Sequence, residues 1–398
     1  MHATQIINTH LKKMCQGIHK KRMIALMSMV EACIQGNKLS VTGLGRAIKN
    51  AVYEKHNIKR ADRLMGNLAL NQERGLLYRT MAKWIIGNHK QPVILVDWSD
   101  LSANRTFHLL RASLPVGGRA LTLYDEVYPE KKLGNRNIES RFLQNLKALL
   151  PEKCCPIIIT DAGYRTPWFN AVQDLGWNFV GRVGGHTMMT PQSKEDWFRV
   201  ERIFETATTR TRYVGFIDLV KRNPTPCHAY LVKKKKQGRI KKTVFGKRCE
   251  MKHSKKNAHR ERTPWLIVTS LTGGASITKR VINLYKTRMQ IEEGFRDIKN
   301  SRWGFSLDEA KVSTKFRYEN LLLVGVLATF AVWLTGKVAE LKNIHRQYQA
   351  NTIKTRNVLS TFYLGCRVLN KQVVEIRRKD FKNALTALQQ QFRAQCYA

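Results

Sequence analysis

Asp97 closes the apolar run Val93-Ile94-Leu95-Val96, and Asp161 closes Ile157-Ile158-Ile159-Thr160. Continuous apolar runs of this length form strands buried on both faces, so both carboxylates are expected at the ends of rigid central strands. Carboxylates clustered on rigid supports bind hard divalent cations, and those cations do a particular chemistry. Cutting a phosphodiester with water requires positive charge on the phosphate, a deprotonated water and a neutralised leaving oxygen. Two Mg²⁺ ions about 3.5–4 Å apart supply all three.

A third carboxylate must come from elsewhere, and the stretch Lys279 to Lys299 offers it. This stretch has strong helix formers and no proline, and it ends near Asn300-Ser301. At about 100° per residue, Tyr285, Arg288, Glu292 and Lys299 share one face of a single helix, with Arg296 beside them. Glu293 and Asp297 turn away from that face. A salt-bridged helix surface would give the same pattern, and helical geometry alone does not choose between the two. The two acid-tipped strands upstream favour a metal-binding Glu292 flanked by phosphate-gripping cations.

The charge balance says what such a site would act on. The chain carries 70 Lys and Arg against 29 Asp and Glu, a formal net charge of +41. A field of that size attracts polyanions and gains from the counterions they release, which makes nucleic acid the natural partner. With 43% hydrophobic residues the chain can also bury real cores, so it is not a disordered basic tail. Its 398 residues exceed one ordinary domain. The eight cysteines contain no CxxC pair, and a zinc site drawn from Cys227, Cys249, His253 and His259 fits no standard finger spacing. No apolar signal region is expected at the N-terminus. The apolar run Leu321 to Leu334 falls short of the roughly 18 residues a membrane span needs, so it reads as a buried helix. A cytoplasmic, nucleoid-associated protein is expected, with no membrane partner.

The elements that must position the acids fall into five segments. Residues 1–88 read as a helical DNA-binding domain: Leu39 to Ile48 resembles the opening of a helix-turn-helix, and a basic helix follows at Ile58 to Met65. A plain basic bundle is the alternative. Residues 89–185 read as three strands, helix, strand, helix, strand. That is the first part of an RNase H-like mixed sheet, with hairpins first and crossovers later. Residues 186–270 read as a basic β-rich insertion, with 19 Lys and Arg between Arg202 and Arg262. Its Lys233 to Lys236 and Lys241-Lys242 suit DNA, or merely a solvated hairpin tip. Residues 271–310 carry the catalytic helix, and 311–398 form a helical C-terminal region. The fold class is therefore α/β: an RNase H-like core interrupted by the insertion and flanked by helical domains.

These pieces together resemble the bacterial insertion-sequence transposases of the DDE superfamily. Within it they resemble the hairpin-forming group that includes the transposase of transposon ten. The resemblance is carried by Leu95-Val96-Asp97-Trp98-Ser99-Asp100, Asp161-Ala162-Gly163-Tyr164 and Trp265-Leu266. Tyr285-x2-Arg288-x3-Glu292-x6-Lys299 adds the group's Y-R-E-K signature, and Asn357-Val358-Leu359-Ser360 a further match. It implies an RNase H-like core with Asp97, Asp161 and Glu292 as catalytic and metal-binding acids, using Mg²⁺ with Mn²⁺ as a possible substitute. It also implies DNA contacts from Tyr285, Arg288, Lys299 and Trp265, the last holding a flipped base. A core tryptophan at the start of a strand is the other role open to Trp265. The implied reaction is cut-and-paste transposition by nicking, hairpin formation, hairpin opening and joining to target DNA. A homodimer would bind the terminal inverted repeats in a synaptic complex. The competing readings are an RNase H-like nuclease without strand transfer and a catalytically silent DNA-binding regulator.

Overall fold

The computed structural model describes residues 3–101, 105–192, 195–235, 250–251, 263–350, 352–371 and 376–397. The chain divides into two compact units, one built from residues 1–156 with 287–397 and the other from 157–286. Lys236, Lys241, Lys242, Cys249, His253 and His259 lie outside the described residues.

The first unit opens with five helices: α1 (Ala3–Met14), α2 (Lys20–Gly36), α3 (Val41–Ala47), α4 (Glu54–Met65) and α5 (Leu68–Ile86). Ser40 caps α3 by accepting from the Gly43 amide at 3.2 Å, and Asn67 caps α5 by accepting from Leu70 at 2.8 Å. Such caps satisfy donors that a helix start leaves bare. Between α3 and α4 the backbones nearly touch: a Cβ on Gly45 would lie 2.5 Å from the Ile58 Cα. Only glycine permits that approach.

Three antiparallel strands follow, β1 (Val93–Asp100), β2 (Phe107–Pro115) and β3 (Ala120–Pro129), and then α6 (Arg136–Leu149). The β2–β3 turn needs left-handed backbone at Gly117 (φ 66°) and Gly118 (φ 94°). Val93 to Val96 are buried on both faces, as the continuous apolar run requires. The strand does not stop there. Pairing with β2 continues to Asp100 opposite His108, so Asp97 sits within β1, opposite Arg111, and not at its end. The ladder of backbone hydrogen bonds outlasts the apolar run, and sequence hydrophobicity reports only the latter.

The second unit holds β4 (Ile157–Thr160), α7 (Thr166–Asp174), β5 (Asn178–Val183), β6 (Met188–Pro191), β7 (Phe198–Arg199), β8 (Arg212–Leu219), β9 (Thr225–Val232), β10 (Trp265–Thr269) and α8 (Thr278–Lys286). Helix α7 carries the chain from β4 to its parallel neighbour β5. The remaining pairings, β5 with β10, β10 with β9, β9 with β8, β8 with β6 and β6 with β7, are antiparallel.

The chain then returns to the first unit with α9 (Met289–Lys299), α10 (Lys315–Leu341), α11 (Thr361–Lys371) and α12 (Arg378–Tyr397). The single helix expected over Lys279 to Lys299 is therefore two helices, α8 and α9, broken at Thr287-Arg288. Hydrogen bonds at the break span three residues, Gln290 N to Thr287 O at 2.9 Å and Ile291 N to Arg288 O at 3.2 Å. This tighter turn needs neither glycine nor proline, and the sequence holds neither there. Helix α10 is 27 residues long, nearly twice the apolar run Leu321 to Leu334 within it, and most of it is buried. It packs against α2, α11, α12 and β3 as the core helix of the unit. Its crossing with α11 is unusually close: a Cβ on Gly336 would stand 1.9 Å from Thr361 O, and one on Gly365 1.9 Å from Val332 O.

Candidate active site

In the first unit, Asp97 and Glu292 share one cation. Arg288 places Nη1 3.5 Å from Asp97 Oδ2 and Nη2 2.7 Å from Glu292 Oε1. Asp97 and Arg288 are largely buried, whereas Glu292 is exposed. Asp97 Oδ1 also accepts from the Trp98 amide at 2.9 Å, which fixes the carboxylate against its own strand. One turn beyond Arg288 in α9, Glu292 is an (i, i+4) partner, and the helix supplies that spacing without further help.

Lys299 ends α9 and reaches β1. Its Nζ donates to Ser99 Oγ at 2.8 Å and to the carbonyl of Asp100. Burial is the main influence on this ammonium and lowers its pKa, with Asp308 and Asp100 pulling the other way. The sequence contained the signal for this contact, since Ser99 and Asp100 directly follow the Asp97-Trp98 pair, but it gave no reason to join them to Lys299.

Glu293 and Asp297 face elsewhere, as the helical spacing requires. Both pair with Arg119 on β2–β3, at 3.3 Å and 2.9 Å. Arg296 does not join the Glu292 face: it pairs with Glu293 at 2.8 Å, one turn back along the exposed side. Its long side chain takes the nearest (i, i+3) carboxylate, which a wheel of Cα directions does not register.

In the second unit, Asp161 follows β4 directly. Its Oδ1 accepts from the Gly163 amide at 2.8 Å, and a Cβ at Gly163 would come within 3.0 Å of that oxygen. Trp265 opens β10, half exposed, opposite Val232 of β9. Tyr285 is buried on α8 and meets the Trp265 ring edge-on, with centroids 5.2 Å apart. Two cations stand over that ring, Lys234 at 4.1 Å and Arg182 at 5.7 Å. Because α8 and α9 are separate helices, Tyr285 does not share a helix face with Glu292; it acts on Trp265.

Each of the three expected acids, taken by itself, is a donor of the kind a hard divalent cation takes. Asp97, Glu292 and Asp161 offer carboxylate oxygens only, without thiol or imidazole. Asp97 and Glu292 already converge on one positive centre, the Arg288 guanidinium, which stands in for an ion in that respect. Among the described residues no three His, Cys, Asp or Glu side chains are grouped closely enough to hold a metal ion as they stand. Cys227, one member of the zinc set considered above, is buried in β9, where burial pushes its thiol pKa well up.

Carboxylates on a strand and a helix, cations beside them and a chain of high positive charge suit an enzyme of nucleic-acid phosphoryl transfer. Residues 88–328, more than half of the chain, match the family described as the transposase DDE domain, and the chain belongs to that family. It is a DDE transposase, a DNA-acting nuclease and transesterase that depends on divalent metal. Comparison with curated proteins gave no match.

Proposed function

We propose that the protein is a cut-and-paste transposase of the hairpin-forming kind, with Asp97, Asp161 and Glu292 as its metal-holding acids. All three lie inside the family match at 88–328. The observation that carries the reading is the Arg288 bridge between Asp97 and Glu292, with Lys299 anchored on Ser99 of the Asp97 strand. It accounts for three positions of the Tyr-Arg-Glu-Lys spacing by physical contact.

Two Mg²⁺ ions, when bound, would activate the attacking oxygen and neutralise the leaving one. The protein's own residues do the rest. Asp97, Asp161 and Glu292 hold the charge that binds the ions. Arg288 holds the two unit-one carboxylates while no ion competes for them, and its guanidinium is then available to a phosphate. Lys299, pre-positioned by Ser99, offers a second phosphate contact. Trp265 takes a base that leaves the stack when the duplex end folds back, and Tyr285 supports the ring from its edge. In this sequence of steps each transposon end is nicked, and the new 3′-hydroxyl attacks the opposite strand. The hairpin is reopened, and the 3′ ends are joined to target DNA. Two ends imply a pair of subunits in one synaptic complex.

The test is incubation of the protein with Mg²⁺ and a labelled duplex ending in the inverted repeat that flanks the gene. A denaturing gel that shows a nicked strand and then a hairpin supports the proposal. A double-strand cut without hairpin, or binding without cutting, rejects it.

A further inference from the structure

We propose that Arg119 is a positioning residue for Glu292: the β2–β3 turn clamps the far side of α9 and fixes the rotation of that helix about its axis. The inference rests on the reading of Glu292 as a metal-holding acid.

Four contacts make the clamp, all on one helix face, from the β2–β3 turn and the first residue of β3. The Gly118 amide donates to Gln290 Oε1 at 3.1 Å. Arg119 Nη1 stands 3.3 Å from Glu293 Oε2, and Nε stands 2.9 Å from Asp297 Oδ2. Between them the helix backbone lies against β3 at Gly294, where a Cβ would come within 3.3 Å of the Ala120 carbonyl. Gln290, Glu293, Gly294 and Asp297 are spaced three, four and seven apart, which is one stripe of a helix. Arg288 and Glu292 lie on another stripe, facing Asp97.

A salt bridge that served stability alone could sit anywhere along α9. Here one guanidinium holds two carboxylates a turn apart, so it resists rotation as well as separation. Rotation is what Glu292 cannot tolerate. A carboxylate about 6 Å from the helix axis moves about 1 Å for each 10° of turn. Misplacement of about 1 Å costs as much as 10²-fold in rate at a positioned site. The glycine pair Gly117-Gly118 supplies the left-handed backbone of the turn that immediately precedes Arg119.

The experiment uses the full chain with an end-bearing duplex, comparing parent, Arg119→Ala, Arg119→Lys and Glu292→Ala. Nicking rate at saturating DNA, end binding, thermal stability and Mn²⁺ bound to the protein–DNA complex by electron paramagnetic resonance are all measured. Arg119→Ala is expected to nick up to about 10²-fold more slowly, with end binding kept and Mn²⁺ held more weakly. Arg119→Lys, which keeps one charge between the two acids, should recover much of both losses. Parental nicking and Mn²⁺ binding in Arg119→Ala overturn the clamp. So does a lysine variant no better than alanine when both simply melt at lower temperature. If Glu292→Ala nicks normally, the reading of Glu292 fails instead, and the two failures are told apart.

Discussion

The ammonium of Lys234 lies 4.1 Å from the centroid of the Trp265 ring, on a face that an extruded base would need. The two occupants can be ranked. A cation over an accessible indole is worth about 0.5–1 kcal/mol, whereas a base stacked on an aromatic ring is worth about 1–3 kcal/mol. On the proposed reading, an extruded base would displace the lysine. Trp265→Ala should leave the first nick near normal and slow hairpin formation by about five- to 150-fold. Lys234→Gln should slow neither step. Time courses on a gel resolving nick, hairpin and broken ends decide it. Equal slowing of nick and hairpin by Trp265→Ala would make the ring a structural part of β10.

Asp97→Ala, Asp161→Ala and Glu292→Ala should each abolish cleavage while end binding persists, because affinity comes mainly from phosphate contacts. Glu293→Ala should be much milder. It leaves the Asp97–Arg288–Glu292 contacts intact, and Arg119 keeps Asp297 at 2.9 Å. Cleavage and gel-shift assays on the four variants provide the check. Equal inactivation by Glu292→Ala and Glu293→Ala would sink the distinction between the two helix faces.

The strand ahead of Asp161 was legible because burial writes itself into sequence: β4 occupies the residues that its apolar run marks. Asp161 was placed at its strand end for the same reason. Three features were not legible, each for its own cause. The extension of β1 past Asp97 is set by pairing with β2, which hydrophobicity does not record. The break between α8 and α9 turns on a tight backbone turn at residues compatible with helix. The Arg119 contacts join positions about 175 residues apart, and nothing local in a Gly-Gly-Arg turn names its partners.

Gly336 and Gly365 mark the crossing of α10 and α11, and neither belongs to the candidate site. Either Cβ would stand 1.9 Å from a backbone carbonyl of the facing helix, so neither side chain can move aside to make room. Overpacking of this kind costs about 1–3 kcal/mol or more, against about 1 kcal/mol gained from helix propensity. Gly336→Ala and Gly365→Ala should therefore lower the denaturant midpoint in spite of alanine's better propensity. An unchanged or raised midpoint would mean that the helices part without cost.

Asp297 connects the clamp to pH. Burial is the largest influence on its carboxyl and raises the pKa to about 7, with Arg119 lowering it and Glu293 raising it. The folded state thus holds this proton more tightly than the unfolded chain, where the group titrates near about 3.9. The sign follows: the contribution to stability is fully present below the unfolded value and is lost as pH rises through about 7. Within that window one such group lowers stability by about 1.4 kcal/mol per pH unit. Above it the loss levels off, and the ionised Asp297 pairs with Arg119 at full charge. Asp297→Asn removes the titration while keeping the shape. The variant should gain stability relative to the parent as pH is raised from about 5 to about 8, with the gap smallest at the acid end. Urea denaturation of both proteins across that range measures the difference. A gap that is constant with pH would place the Asp297 carboxyl in its ordinary range and leave the clamp charged throughout.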